Sequence, residues 1–221
     1  MRLRGALLAA ARLAARPIAV AALAVLCAPA AAEPTPASSD AAKHVVDELN
    51  QGLLGIMRHG KELGFEGRRD QIRPVIEAHY DFPFMAEKSV GSAWQQLGEP
   101  ERAQLTDALA RLAIATYAAR FASHDGERFE TLGVDDGGFA TLVVHSRIVE
   151  KTGQTTALDY RMRQAADGQW RIIDVLLNGT VSELALRRAD WTAVIKRDGF
   201  AALMKALEQK ISDQARGKGE A

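Results

Sequence analysis

Apolar residues recur at helical spacing over residues 41–59, with Val46, Leu49, Leu53 and Ile56 on one face. This predicts an amphipathic helix capped by Asp40. Residues 60–69 are charged and glycine-rich and read as a loop. A second helix over 71–79 carries Ile72, Val75 and Ile76, with Pro74 in its first turn, where a missing N–H costs nothing. Next comes a dense apolar and aromatic stretch of short helical turns, Tyr80-Asp81-Phe82-Pro83-Phe84-Met85 and Val90-Gly91-Ser92-Ala93-Trp94. A long helix over 100–121 has two apolar stripes, Leu105, Leu109, Leu112 and Thr116 beside Ile114, Tyr117 and Phe121. Together they exceed a single core-facing stripe, so the helix needs two apolar partners.

From Arg128 the period switches to two. Four strands are predicted, over 128–134, 139–150, 154–164 and 169–177. The turns between them are Asp135-Asp136-Gly137-Gly138, Lys151-Thr152-Gly153 and Ala166-Asp167-Gly168. The last strand is apolar on both faces apart from Arg171 and Asp174, as a strand covered on both sides is. Thr180 and Glu183 stand three apart as a capping box that opens a helix near Val181. Asp198-Gly199 ends it, a last helix follows over 200–211, and residues 212–221 form a polar tail. The order is helices, a meander, then helices. It predicts an α+β domain: a curved four-stranded antiparallel meander packed with helices, as an NTF2/cystatin-like cone enclosing an apolar cavity.

The first 32 residues read as a cleaved secretory signal and not as part of the fold. Arg2, Arg4, Arg12 and Arg16 make a basic start, residues 18–27 an apolar run too short to span a bilayer, and Ala30 and Ala32 a small-residue cleavage pattern. The alternatives are an uncleaved anchor and a lipoprotein signal at Cys27, against which Leu26 counts because a small residue is wanted there. Residues 33–39 are a Pro/Ser/Ala linker, and the domain spans 40–211. Without the signal, 24 basic and 28 acidic residues remain, a net charge of −4. That argues against nucleic acid as a partner. Cys27 is the only cysteine, so the remaining chain has no disulfide, thiolate metal site or cysteine nucleophile. These features suit the periplasm.

Catalytic signatures are missing: no glycine-rich phosphate loop, HExxH, GxSxG or paired-histidine spacing is present. The chain is read as a non-enzyme needing no metal and no cofactor. Asp174 is the best acid–base candidate, with Tyr160 or His145 beside it, because burial in a strand raises a carboxyl pKa. Its bland alternative is structural: an ion pair with Arg161 or Arg147, or a helix cap. Trp94, Tyr117, Phe121, Tyr160 and Trp170 are candidates for a cavity lining as well as for plain core. Arg187, Arg188, Lys196 and Arg197 form either a solvated helix face or a docking patch for a partner protein or lipid headgroups.

Two runs of residues carry a resemblance. Asp81-Phe82, Met85, Gly91 and Trp94 precede a long helix bearing Tyr117; Asp159-Tyr160-Arg161-Met162 precedes Asp167-Gly168-Gln169-Trp170-Arg171-Ile172-Ile173-Asp174-Val175 and Asn178-Gly179. Over residues 40–211 this resembles the MlaC, or toluene-tolerance, family of periplasmic lipid-binding proteins. The resemblance implies a carrier that holds a phospholipid and shuttles it between membranes. It implies as partner an inner-membrane ABC transporter complex with an MCE-type substrate-binding component, and leaves room for an outer-membrane lipoprotein–porin complex. Where the family pattern runs Gly-Val-Ser-Leu, this chain has Gly179-Thr180-Val181-Ser182-Glu183-Leu184-Ala185. That form resembles the HpnM-like, hopanoid-associated branch, which makes a hopanoid an alternative cargo.

A lipid carrier needs a dry cavity and no reaction. Each buried methylene contributes about 0.8 kcal/mol, so sheltering part of one acyl chain supplies roughly 8–10 kcal/mol. The candidate lining is Phe84, Val90, Trp94, Leu112, Tyr117, Val144, Leu158, Tyr160, Ile173 and Val175; the sequence does not fix which strand face looks inward. Competing readings are a small isomerase or dehydratase using Asp174, and a scaffold that binds no small molecule.

Overall fold

The computed structural model describes residues 35–218; the expected signal over 1–32 lies outside the described residues. Helix α1 (Pro36–Arg58) starts before Asp40: Thr35 is its cap, accepting from the Ser38 N–H, with Pro36 in its first turn. Residues 36–39 of the expected linker are therefore helical. Val46, Leu49, Leu53 and Ile56 are fully buried, as their spacing predicts.

The expected loop over 60–69 is instead the first half of α2 (Gly60–His79), bent at Gly64, whose φ of 58° is left-handed backbone. Tertiary contacts override the poor helix propensity of Gly60 and Gly67, while Gly64 supplies the bend between two helical segments. Arg68 is buried and donates to the carbonyls of Ala118 (2.8 Å) and Gly60 (2.7 Å), fastening this half to the next long helix. Pro74 thus sits inside a helix and not in a first turn. It is tolerated because it and Asp70 face solvent, where water reaches the carbonyl that Pro74 leaves without a donor.

Asp81 caps α3 (Phe82–Val90), accepting from the Phe84 N–H at 3.1 Å, and a 3-10 turn follows (Gly91–Gln96). Helix α4 (Glu99–Arg120) begins with Glu101 reaching back to the Gly98 N–H. As its two stripes require, α4 packs against several partners: α2, α3 and α6.

The strands are β1 (Arg128–Gly138), β2 (Thr141–Val149), β3 (Thr155–Gln164), β4 (Trp170–Leu177) and β5 (Val181–Ser182), antiparallel in sequence order. The sheet is open and has five strands, not four. Val181 and Ser182, expected to begin a helix, pair instead with Leu177 and Leu176. The cap of α5 (Glu183–Asp198) is Ser182 and not Thr180, its side chain accepting from the Ala185 N–H. Helix α6 (Phe200–Ala215) runs past the expected end at 211.

One irregularity in β4 changes which of its residues share a face. The register slips between Arg161 and Met162, so Val175 pairs with Tyr160 but Ile172 with Met162. A bulge of this kind turns successive residues to new faces. Ile172 and Val175 both join the core with Leu142, Val144, Tyr160 and Met162. Ile173 and Asp174 between them are buried as well, so the centre of the strand is covered on both faces, as its apolar character predicts.

The other sheet face is polar. Arg147 pairs with Glu130, and His145 bridges Asp159 through Nδ1 (2.9 Å) and Asp135 through Nε2 (3.0 Å). Burial is the largest influence on His145 and lowers its pKa, but the two carboxylates together outweigh it and raise the value above the usual 6.5. A raised folded pKa stabilises below the unfolded value and is lost as pH climbs through the folded one. The melting advantage of the native chain over His145→Gln is therefore expected to shrink as pH rises from about 6.5, measurable by melting both proteins across that range. An advantage that grows with pH contradicts this bridge.

Candidate functional site

A cavity of about 230 Å³ lies between the inward sheet face and the C-terminal half of α4. Its floor comes from Ile148 of β2, Thr156 and Leu158 of β3, and Val175 and Leu177 of β4. Its roof comes from Ala113, Thr116 and Tyr117 of α4, with Phe121 just beyond; Tyr80 and Met85 close one side. These walls are mainly apolar. An outer groove of about 490 Å³ adjoins the cavity between α4, α5 and α6, with Leu112, Leu186 and Trp191 among its walls. Cavity and groove share Thr116, Arg120, Leu177, Glu183 and Arg187, which form the throat between them.

Three tyrosines converge at the inner end. Tyr80 stacks on Phe82 and meets Tyr117 edge-on, their hydroxyls in contact; Tyr117 stacks on Phe121. Tyr160 is wholly buried, and its hydroxyl has no hydrogen-bond partner among the described residues. Burial pushes the pKa of Tyr80 and Tyr160 well up and that of Tyr117 to about 12, so all three phenols stay neutral at ordinary pH. They supply hydroxyl donors and acceptors without charge.

The charge is at the throat. Glu183 bonds Arg187 one turn later on α5 at 2.6 Å, and Arg120 of α4 approaches the other Glu183 oxygen at 3.8 Å. The Glu183 and Arg187 side chains are only 20% and 23% exposed, so this is a partly desolvated triad and not a surface pair.

The sequence-derived candidates divide. Tyr117, Leu158 and Val175 line the cavity, and Leu112 lines the groove. Tyr160 is packed on the inward sheet face, while Val90, Val144 and Ile173 belong to the general core. Phe84 and Trp94 stand elsewhere, under the guanidinium groups of Arg163 and Arg102 respectively. The four cations of α5 do not share a face. Arg187 turns into the throat, Arg188 lies over Gly91, Arg197 pairs with Asp198, and Lys196 is exposed. Sequence reasoning missed Glu183 and Arg120. The Glu183–Arg187 spacing marks an i,i+4 pair, but nothing local places it beside Arg120.

Asp174 is not in the cavity. The bulge turns it outward, where Oδ1 accepts from the Leu184 N–H (2.9 Å) and Oδ2 from the Ser182 hydroxyl. Of the readings open from sequence, this is the helix cap: it fixes the start of α5 and so positions Glu183 and Arg187.

The fold is similar to that of a phospholipid-binding protein from Ralstonia solanacearum, solved in complex with a phospholipid at 1.53 Å; TM-score 0.68, 22% identity, covering 79% of this chain and 98% of that one. No curated protein matches the chain. The family model described as MlaC protein matches residues 47–209. With that match spanning most of its length, the chain belongs to the MlaC family.

Proposed function

We propose that this protein is a periplasmic lipid carrier that holds the tails of a phospholipid in the apolar cavity and passes the lipid between membranes. The carrying observation is the cavity itself, enclosed by sheet and α4 and opening through one charged throat into a groove. An apolar cavity with few polar groups at one end suits an amphiphile. Membership of the MlaC family and the phospholipid in the Ralstonia solanacearum structure support the same reading. The arginine-rich, then apolar, chain start supports export. In this reading the chain works with an inner-membrane ABC transporter complex bearing an MCE-type component. The hydrolytic step belongs to that complex, since no nucleotide-binding loop occurs in this sequence.

A second cargo, a hopanoid, is favoured by Ser182-Glu183-Leu184-Ala185, the departure from the family pattern, of which Glu183 lines the cavity throat. The carrier reading is tested by incubating the protein with donor vesicles of labelled phospholipid and then with unlabelled acceptor vesicles. Transfer faster than the spontaneous rate is expected; a rate equal to it rejects the reading.

Asp174→Asn separates carrier from enzyme. The amide keeps one acceptor and loses the other. The melting temperature is expected to fall by a few degrees, corresponding to about 1 kcal/mol, with lipid transfer unchanged. A variant of unchanged stability that still takes up lipid but loses a chemical turnover contradicts the capping role.

A further inference from the structure

The throat holds two guanidinium groups and one carboxylate where an apolar cavity meets an open groove. Arg187 is bonded to Glu183, Arg120 stands 3.8 Å from the same carboxylate, and the three carry one surplus positive charge. A carrier that sheltered only hydrocarbon would need no such group, because apolar burial alone supplies the affinity and partly buried charges oppose it. The Arg187 side chain is 23% exposed and the Arg120 side chain 44%, so an incoming group in the groove reaches both. A tail drawn down between Val175 and Tyr117 leaves the head of its lipid at this height.

We propose that Arg120 and Arg187 form the headgroup subsite, taking the phosphate of a lipid whose tails fill the cavity, and that Glu183 holds the two guanidinium groups in place when no phosphate is there. Guanidinium pairs with phosphate by parallel, charge-assisted hydrogen bonds, and its planar fork is preorganised for them. The phosphate replaces Glu183 as the partner of Arg187 and Arg120, so the carrier selects lipids that bear a phosphate over lipids with the same tails and a neutral head. This rests on the carrier reading and adds a selectivity to it. It also separates the two cargoes, since a neutral hopanoid offers these arginines no anionic partner.

The test uses vesicles of dioleoylphosphatidylglycerol with a minor fraction of dioleoylglycerol, two lipids of identical tails. Protein is incubated with them and re-isolated, and its bound lipids are measured by mass spectrometry. The native protein is expected to enrich the phosphate-bearing lipid about tenfold over the vesicle ratio, a difference of about 1.4 kcal/mol. The ratio is the readout, not total uptake. Arg120→Gln with Arg187→Gln brings the ratio back towards that of the vesicles. Arg120→Gln alone, at the more exposed position, lowers it several-fold and serves if the double variant does not fold. Glu183→Gln removes the internal competitor and raises it. Native protein at the vesicle ratio, or a folded double variant that keeps the enrichment, overturns the subsite and leaves the carrier standing. Folded native protein that takes up neither lipid overturns both. Inorganic phosphate that raises the native melting temperature but not that of the double variant, with no enrichment of phospholipid, makes the arginines a free-phosphate site and overturns the headgroup assignment.

Discussion

Thr116→Trp is expected to empty the protein of lipid while leaving it folded. Thr116 stands in the throat that the cavity and the groove share. Its hydroxyl bonds only the Leu112 carbonyl within its own helix, so no tertiary contact is lost with it. An indole projecting from this point of α4 fills the space a tail passes through. Overpacking costs about 1–3 kcal/mol in a filled core; here the ring enters open volume and buries apolar surface, so the melting temperature should move little. Lipid recovered per protein should fall by about tenfold or more, the loss of roughly two buried methylenes' worth of free energy or more. Native lipid content in a folded Thr116→Trp protein contradicts the assignment of this cavity as the tail site.

Gly60→Ala is expected to be the most damaging small substitution. A Cβ at Gly60 lies 1.9 Å from the carbonyl oxygen of Ala122 and 2.7 Å from its carbon. Both are backbone atoms, so no side chain can swing aside. The α1–α2 corner is itself held by Arg68, which binds the Gly60 and Ala118 carbonyls together. The cost is put at about 3 kcal/mol, the upper end of overpacking, or roughly 6–12 °C of melting temperature for a domain of this size. Gly55→Ala provides the contrast. It is helical, its new Cβ meets nothing nearer than 3.5 Å, and it should stabilise by about 0.5 kcal/mol. Thermal melts of the two variants side by side check both; equal melting temperatures contradict the packing at this corner.

What was legible in the sequence followed from periodicity. Val46, Leu49, Leu53 and Ile56 are buried as their spacing requires, and the two stripes of α4 face several partners and a cavity. The meander follows from alternation and glycine-bearing turns. Where periodicity breaks, the reading fails. The bulge in β4 made Ile172 and Asp174 look like neighbours on one face, although Ile172 is core and Asp174 caps α5. Gly60, Gly64 and Gly67 disguised half of α2 as a loop, because the buried Arg68 that holds it ties it to the Ala118 carbonyl, fifty positions away. The cavity was anticipated in its aromatic and apolar walls at Tyr117, Leu158 and Val175 but not at its throat. Arg120 and Glu183 meet only through the fold, and Arg187 alone reads as one more helix-surface cation.

The measurement that bears most directly on the carrier reading is mass spectrometry of an organic extract of the protein, purified without detergent from its own periplasm and verified as folded. About one phosphate-bearing lipid per cavity is expected in the native protein and little in Thr116→Trp. A stoichiometric neutral hopanoid would keep the carrier and contradict the arginine subsite. Folded native protein carrying no lipid at all would contradict the carrier function.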